Sequence, residues 1–256
     1  MSDPKGLSMI VPCFNEAESI NKTIEELDIS LKRSGMKYEI IVVDDGSTDR
    51  TRKNASLYDS SNVVVVGYDD NRGKGDAIKY GCSYVTGDIV AFMDADTDLC
   101  PSHLEGFIRT MHDKKADVVV GSKLHPDSSV DYPLFRRILS HGYRYFNKLL
   151  FNLNVRDTQV GQKLFRKEVL DDIMPRVLVK RYAFDLELLV NAQHLGYKIV
   201  EAPIKLDYDF SGSSVNIRAV WKIFVDTCAI FYRLRILKYY DREGTGKKKS
   251  RFYALT

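Results

Sequence analysis

The sequence predicts an α/β fold, a mostly parallel sheet between layers of helices, on three observations. Apolar runs of strand length recur at residues 7–11, 38–43, 63–66, 89–93 and 118–120. They are continuous rather than alternating, as a strand covered on both faces requires. Between them run helical stripes, such as Ile20, Ile24, Leu27 and Leu31, then Ala77, Ile78, Gly81, Cys82 and Val85. Strand and helix in alternation give a parallel sheet built from crossovers.

Taken in order, the first strand ends in Pro12-Cys13-Phe14-Asn15-Glu16 and the second in Asp44-Asp45-Gly46-Ser47-Thr48-Asp49. The third leads to the glycine-rich Asn71-Arg72-Gly73-Lys74-Gly75, and the fourth ends in Asp94-Ala95-Asp96-Thr97-Asp98. Gly121-Ser122-Lys123 follows the fifth. Ligands of open α/β sheets collect at the carboxyl ends of the strands, where helix N-termini present N–H groups and partial positive charge. Beyond about residue 125 the pattern changes to long helical stretches at 134–153 and 186–195. Asp157-Thr158-Gln159-Val160-Gly161-Gln162-Lys163 separates them, and one more strand is expected at 198–206. Residues 217–240 read as one long helix or two short ones, followed by a basic tail with Lys247, Lys248, Lys249 and Arg251.

A chain of 256 residues with 44% hydrophobic content accommodates one large α/β domain and a short appendage. Its formal charge of +3 gives no global field for nucleic acid, so no nucleic-acid partner is expected and any anion must be met by a local cluster. Cys13, Cys82, Cys100 and Cys228 are scattered, without a CxxC pair or a nearby histidine set, and read as reduced core thiols. The N-terminus lacks the basic start and long apolar run of a secretory signal, so a cytoplasmic location is expected. The first turn lacks the G-x-G-x-x-G of a dinucleotide fold, and residues 71–75 lack P-loop spacing.

Asp94, Asp96 and Asp98 place three like charges at alternate positions, which repel one another unless a cation holds them. A hard divalent ion, Mg²⁺ or Mn²⁺, fits such carboxylates and keeps open positions for a diphosphate. A solvated acidic turn is the alternative. Asp44 and Asp45 are open to the same plain-turn reading, but a nucleotide-diphosphate site accounts for all three turns at one sheet edge.

In combination, Val-Pro-Cys-Phe-Asn-Glu, Val-Val-Asp-Asp-Gly-Ser-Thr-Asp, Asn-Arg-Gly-Lys-Gly-Asp-Ala, Met-Asp-Ala-Asp and Asp-Thr-Gln-Val-Gly-Gln-Lys-Leu-Phe resemble the family 2 glycosyltransferases of the GT-A fold. Over residues 6–210 the chain is most similar to the dolichol-phosphate mannose and glucose synthases. The resemblance implies that Pro12, Phe14, Glu16, Asp44 and Asp45, with Lys74, Asp94 and Gln159, hold the nucleotide sugar. It implies Asp94, Asp96 and Asp98 as ligands of the metal and diphosphate, and Lys123, Arg136 and Ser140 near an acceptor phosphate. Asp185, in Phe184-Asp185-Leu186-Glu187, is the candidate base, with a helix N-terminal carboxylate as its alternative. Lys123 stands where the family commonly has arginine, so a point charge replaces a bidentate fork. The family's further acceptor-site cation has no clear counterpart in residues 208–212, although Lys205 is close.

The function so implied is inverting, metal-dependent transfer of a hexose from a UDP- or GDP-sugar to a polyprenyl (dolichyl) phosphate. Gln159, Gly161 and Lys163 followed by Phe184 and Asp185 lean toward UDP-glucose. The alternatives are a family 2 transferase to a glycan hydroxyl with Asp185 as base, and a non-catalytic membrane-associated scaffold. Residues 1–210 are expected to form the catalytic domain, with a nucleotide-sugar half at 1–124 and an acceptor half at 125–210. Residues 211–256 are expected to bring it to the cytoplasmic face of a membrane through an amphipathic helix around Trp221, Phe224 and Phe231 and the basic tail. The alternatives for that helix are packing on the domain or a homodimer contact. Removal of residues 217–256 is expected to leave a folded domain.

Overall fold

A computed structural model describes residues 6–95, 103–128, 134–204 and 217–241, without the side chains of 134–138 and 217. Strands β1 (Leu7–Cys13), β2 (Tyr38–Asp45), β3 (Val63–Tyr68), β4 (Ile89–Phe92) and β5 (Val118–Ser122) lie where the apolar runs predict them. Helices α1 (Ile20–Arg33), α2 (Thr51–Ser56), α3 (Lys74–Cys82) and α4 (His103–Asp113) connect them. Then follow α5 (Leu134–Phe151), β6 (Lys163–Arg166), α6 (Lys167–Ile173), α7 (Phe184–His194), β7 (Ile199–Pro203) and α8 (Ile217–Phe231). The seven strands form one sheet in the order β3-β2-β1-β4-β6-β5-β7.

Every pairing is parallel except those of β6, which runs antiparallel to both β4 and β5, with Phe165 opposite Val90 and Val118. The sequence reading treats 157–163 as a separator and does not anticipate β6. Four residues flanked by charge carry little strand signal, and pairing on both sides supplies what propensity does not. Alternation sorts the sheet onto two cores. Ile10, Val43, Phe92, Val120 and Phe165 pack with α3 and α7, whereas Met9, Val42, Ala91, Val119 and Leu164 pack with α1 and α4. Both faces are covered, which accounts for the continuous runs.

The chain continues from α8 through a π-turn (Tyr232–Ile236) to a 3₁₀ turn (Tyr239–Asp241). Ile230, Leu234 and Tyr240 enter the main core. Fully buried Glu187 of α7 accepts hydrogen bonds from Arg233 Nη2 at 3.0 Å, the Tyr240 hydroxyl at 2.5 Å, and the backbone N–H groups of Leu178 and Val179 at 2.8 and 2.6 Å. The described part of this segment therefore packs on the domain, which argues against removing residues 217–256 without loss of stability. Arg233 reads as surface charge in the sequence, but its partner is a buried carboxylate 46 residues away. Cys228 is exposed rather than in the core, while Cys13 is buried; Cys100 lies outside the described residues. Among the described residues no helix is long and apolar enough to cross a membrane.

Candidate active site

The carboxyl ends of β1 and β4 open into a cleft of about 470 Å³, lined by Pro12, Phe14 and Glu16 on one side and by Lys74, Gln159 and Asp185 on another. Two of the sequence motifs form a single unit at its rim. Asn15, at φ 57°, donates its backbone N–H to Ser47 Oγ at 3.0 Å, and its side-chain oxygen accepts the Thr48 N–H at 2.9 Å. The Glu16 N–H bonds Thr51 Oγ1 at 2.7 Å. This leaves the Phe14 ring 41% exposed at the mouth, free to cover a planar base.

Asp45 lines the cleft, yet its oxygens are already engaged. They accept the Arg72 and Gly73 N–H groups at 2.8 and 2.9 Å, the Asn71 amide at 3.1 Å and the Tyr68 hydroxyl at 2.7 Å. Its carboxylate thus shapes the glycine-rich loop that delivers Lys74. Gly73 is held there at φ 102°, where a Cβ would stand 2.7 Å from the Lys180 carbonyl. Asp44 is buried beside this turn, accepting the Ser47 N–H at 3.3 Å, and is not among the residues lining the cleft.

A row of alternating charges crosses the floor. Asp94 Oδ1 lies 2.5 Å from Lys74 Nζ, which is 3.8 Å from Asp185 Oδ2, while Asp185 Oδ1 is 2.6 Å from Lys163 Nζ. Lys163 is fully buried and also donates to the Val160 carbonyl. Burial opposes the charge on Asp185, but the ammonium groups of Lys163 and Lys74 prevail and hold its carboxyl below the usual carboxylate range. A general base at neutral pH needs the opposite shift. Burial also pulls Lys163 below the ordinary lysine range, with Asp185 opposing. Gly161 closes on Asp94 so tightly that a Cβ would stand 1.9 Å from Oδ2. Asp96 and Asp98 lie outside the described residues, and no group of three metal-ligating side chains comes together among the described ones.

Next to the cleft lies a second, smaller cavity of about 70 Å³. Ser140, Tyr143, Arg144 and Asn147 line it from one face of α5, at the i, i+3, i+4, i+7 spacing of a helical stripe. Lys123 after β5 and Arg156 before β6 complete a cationic wall. Both cations are ion-paired, Lys123 with Asp157 at 3.8 Å and Arg156 with Glu201 at 3.7 Å, and Asp157 lines the cavity as well. Gln159 lines both cavities and so forms their common wall. Arg136 is in the first turn of α5, its side chain outside the described set. Arg144, Asn147 and Arg156 are not among the candidates named from the sequence. Their signal is the polar stripe on a long helix and the cation beside Asp157.

The model of the glycosyl transferase family 2 matches residues 8–174, more than half of the chain. A dolichyl-phosphate beta-glucosyltransferase of Trichomonas vaginalis is 32% identical over 252 residues, covering 92% of this chain and 76% of the relative. The dolichyl-phosphate beta-glucosyltransferase of Homo sapiens is 33% identical over 253 residues, covering 92% and 77%. Among solved structures, glucosyl-3-phosphoglycerate synthase from Mycobacterium tuberculosis, in complex with Mn²⁺, UDP and glucosyl-3-phosphoglycerate, shares the fold. Its TM-score is 0.66 at 20% identity, over 89% of this chain and 79% of that one. With the donor turns, the acidic strand end and most of the sheet inside the matched region, the chain belongs to glycosyl transferase family 2 and is a glycosyltransferase.

Proposed function

We propose that this chain transfers glucose from UDP-glucose to dolichyl phosphate with inversion at the anomeric carbon. The observation that carries the reading is the shared wall at Gln159, which sets a cationic cavity next to the cleft where a sugar nucleotide fits. The names of the relatives support glucose and a lipid phosphate, and the UDP complexes of the fold neighbour with Mn²⁺ or Mg²⁺ support a uridine nucleotide and a divalent ion.

A phosphate monoester has its second pKa near ~6, so the acceptor is largely a dianion at neutral pH. One of its oxygens attacks the anomeric carbon while the bond from that carbon to the UDP oxygen breaks, and UDP leaves. No proton has to be removed, which agrees with an Asp185 locked by two lysines. Lys123, Ser140 and Arg136 would hold the phosphate, Pro12, Phe14 and Glu16 would hold the nucleoside end, and Asp44 and Asp45 would shape the turns that frame it. Asp94 suits a cation, since an ammonium already sits on it, and with Asp96 and Asp98 it would hold Mg²⁺ or Mn²⁺. Bound there, the ion supplies charge neutralisation to the departing diphosphate. Lys74 brings a further positive charge to the same edge.

In this reading residues 1–124 serve the donor, 125–210 the acceptor and 211–256 the cytoplasmic face of the membrane. Trp221 at 65% and Leu149 at 83% exposure, with Tyr145 and Val225, offer apolar contact from α8 and α5, the helix that also lines the acceptor cavity. The test is a product assay with Mn²⁺, pairing UDP-glucose or GDP-mannose with dolichyl phosphate or free dolichol. Glucosyl phosphoryl dolichol from the first pair is expected. Transfer to free dolichol, or from GDP-mannose alone, overturns the reading.

A further inference from the structure

One side chain in the acceptor cavity is buried without the hydrogen bonds its burial calls for. Helix α5 is fastened to α8 by Phe146 stacked on Phe224, with ring centroids 5.4 Å apart, and by the Tyr143 hydroxyl 3.0 Å from Thr227 Oγ1. Asn147, one turn beyond Tyr143, is 2% exposed and lines the same cavity as Lys123, Ser140 and Arg144. Neither its amide nitrogen nor its amide oxygen has a hydrogen-bond partner among the described residues, and the Gln159 amide nitrogen is in the same state. The Tyr143 hydroxyl interacts with both amides, a contact too weak in geometry to fill their hydrogen-bonding capacity.

A buried amide without partners destabilises the fold that carries it, whereas an apolar side chain of similar volume would not. Its position is accounted for if a ligand completes it. We infer that Asn147 is an acceptor-binding residue whose amide N–H donates to a non-bridging oxygen of the acceptor phosphate, with the Gln159 amide meeting the same group from the wall shared with the donor cleft. Lys123 supplies a point charge, and both Lys123 and Arg144 end long side chains whose positions are not fixed by a packed stem. The Asn147 amide sits on a short stem on a packed helix, so it fixes which phosphate oxygen faces Gln159 and hence the anomeric carbon. Its amide oxygen is left for the N–H groups of Lys123 or Arg144, which line the same small space.

This inference rests on the placement of the acceptor phosphate in the second cavity, and the full-length chain tests it. Asn147→Leu removes both unpartnered atoms and keeps the branched shape of the side chain, with somewhat greater bulk. The unliganded variant should melt about 2–4 °C higher than wild type. Its KM for dolichyl phosphate should rise tenfold or more, while its KM for UDP-glucose stays within twofold. Asn147→Asp, which sets a carboxylate against the phosphate, should raise the acceptor KM further. In thermal-shift titrations with inorganic phosphate, wild type should be stabilised and Asn147→Leu much less so. A lower melting temperature with kcat and both KM values changed together would make Asn147 a packing residue and overturn the inference, as would an unchanged acceptor KM. Wild-type enzyme that transfers nothing to dolichyl phosphate would instead sink the acceptor assignment itself.

Discussion

The two cavities are built in opposite ways. The donor edge is assembled from short contiguous motifs, each ending a strand, and its internal hydrogen bonds join the turn after β1 to the turn after β2 and Asp45 to the loop of Lys74. The acceptor side is assembled from distant pieces: α5, the turn before β6, the end of β5, and α8 fastened behind α5. Chemistry at the donor edge hangs on single charged groups, whereas shape on the acceptor side hangs on packing. A point change at the donor edge should therefore remove activity and spare the fold, whereas changes in the packing behind the second cavity should cost stability first.

The largest effect is expected at Asp94. Asp94→Ala removes a candidate ligand of the metal and the partner of Lys74, so transfer should fall about a thousandfold, the scale on which loss of a transition-state charge contact acts. Nucleotide affinity should no longer rise on addition of Mn²⁺, while the melting temperature should be nearly unchanged. Loss of folding in this variant would erase the contrast between the two regions.

Next comes Arg233, which lines neither cavity. Arg233→Ala takes a partner from fully buried Glu187 and should cost about 3 kcal/mol in urea denaturation, the low end for breaking a buried pair, because Tyr240 and two backbone N–H groups still hold the carboxylate. Wild-type stability would return residues 217–241 to the status of a detachable appendage.

This contrast also decides what could be read in the sequence. Five strands and the turns that follow β1, β2 and β3 were legible because continuous apolar runs and the motifs that end them are local signals. The pairs Lys163–Asp185 and Glu187–Arg233 were not, being 22 and 46 residues apart, and a lysine in the Gln162-Lys163-Leu164 stretch reads as solvent-facing although it is fully buried. Strand β6 was missed for the same reason, since both of its partners come from elsewhere in the chain. Asn147 was half legible: its spacing from Ser140 and Tyr143 marks a polar face on α5, but only the cavity gives that face a purpose.

The central claim is that the acceptor phosphate is its own nucleophile and Asp185 a structural anion held by Lys163 and Lys74. It is tested most directly by the pH dependence of kcat/KM for dolichyl phosphate in wild type and in Asp185→Asn. Both should show one rising limb near pH ~6, that of the phosphate, with the variant lower by about tenfold and its profile unchanged in shape. Stability supplies the control. The Asp185 carboxyl titrates below its ordinary value of about 3.9, so its share of stability is present above that pH and lost as pH falls through the lower folded value. The stability gap between wild type and variant should therefore narrow in acid. A loss of a thousandfold or more in the variant, with the rising limb gone, would make Asp185 the catalytic base and contradict the account.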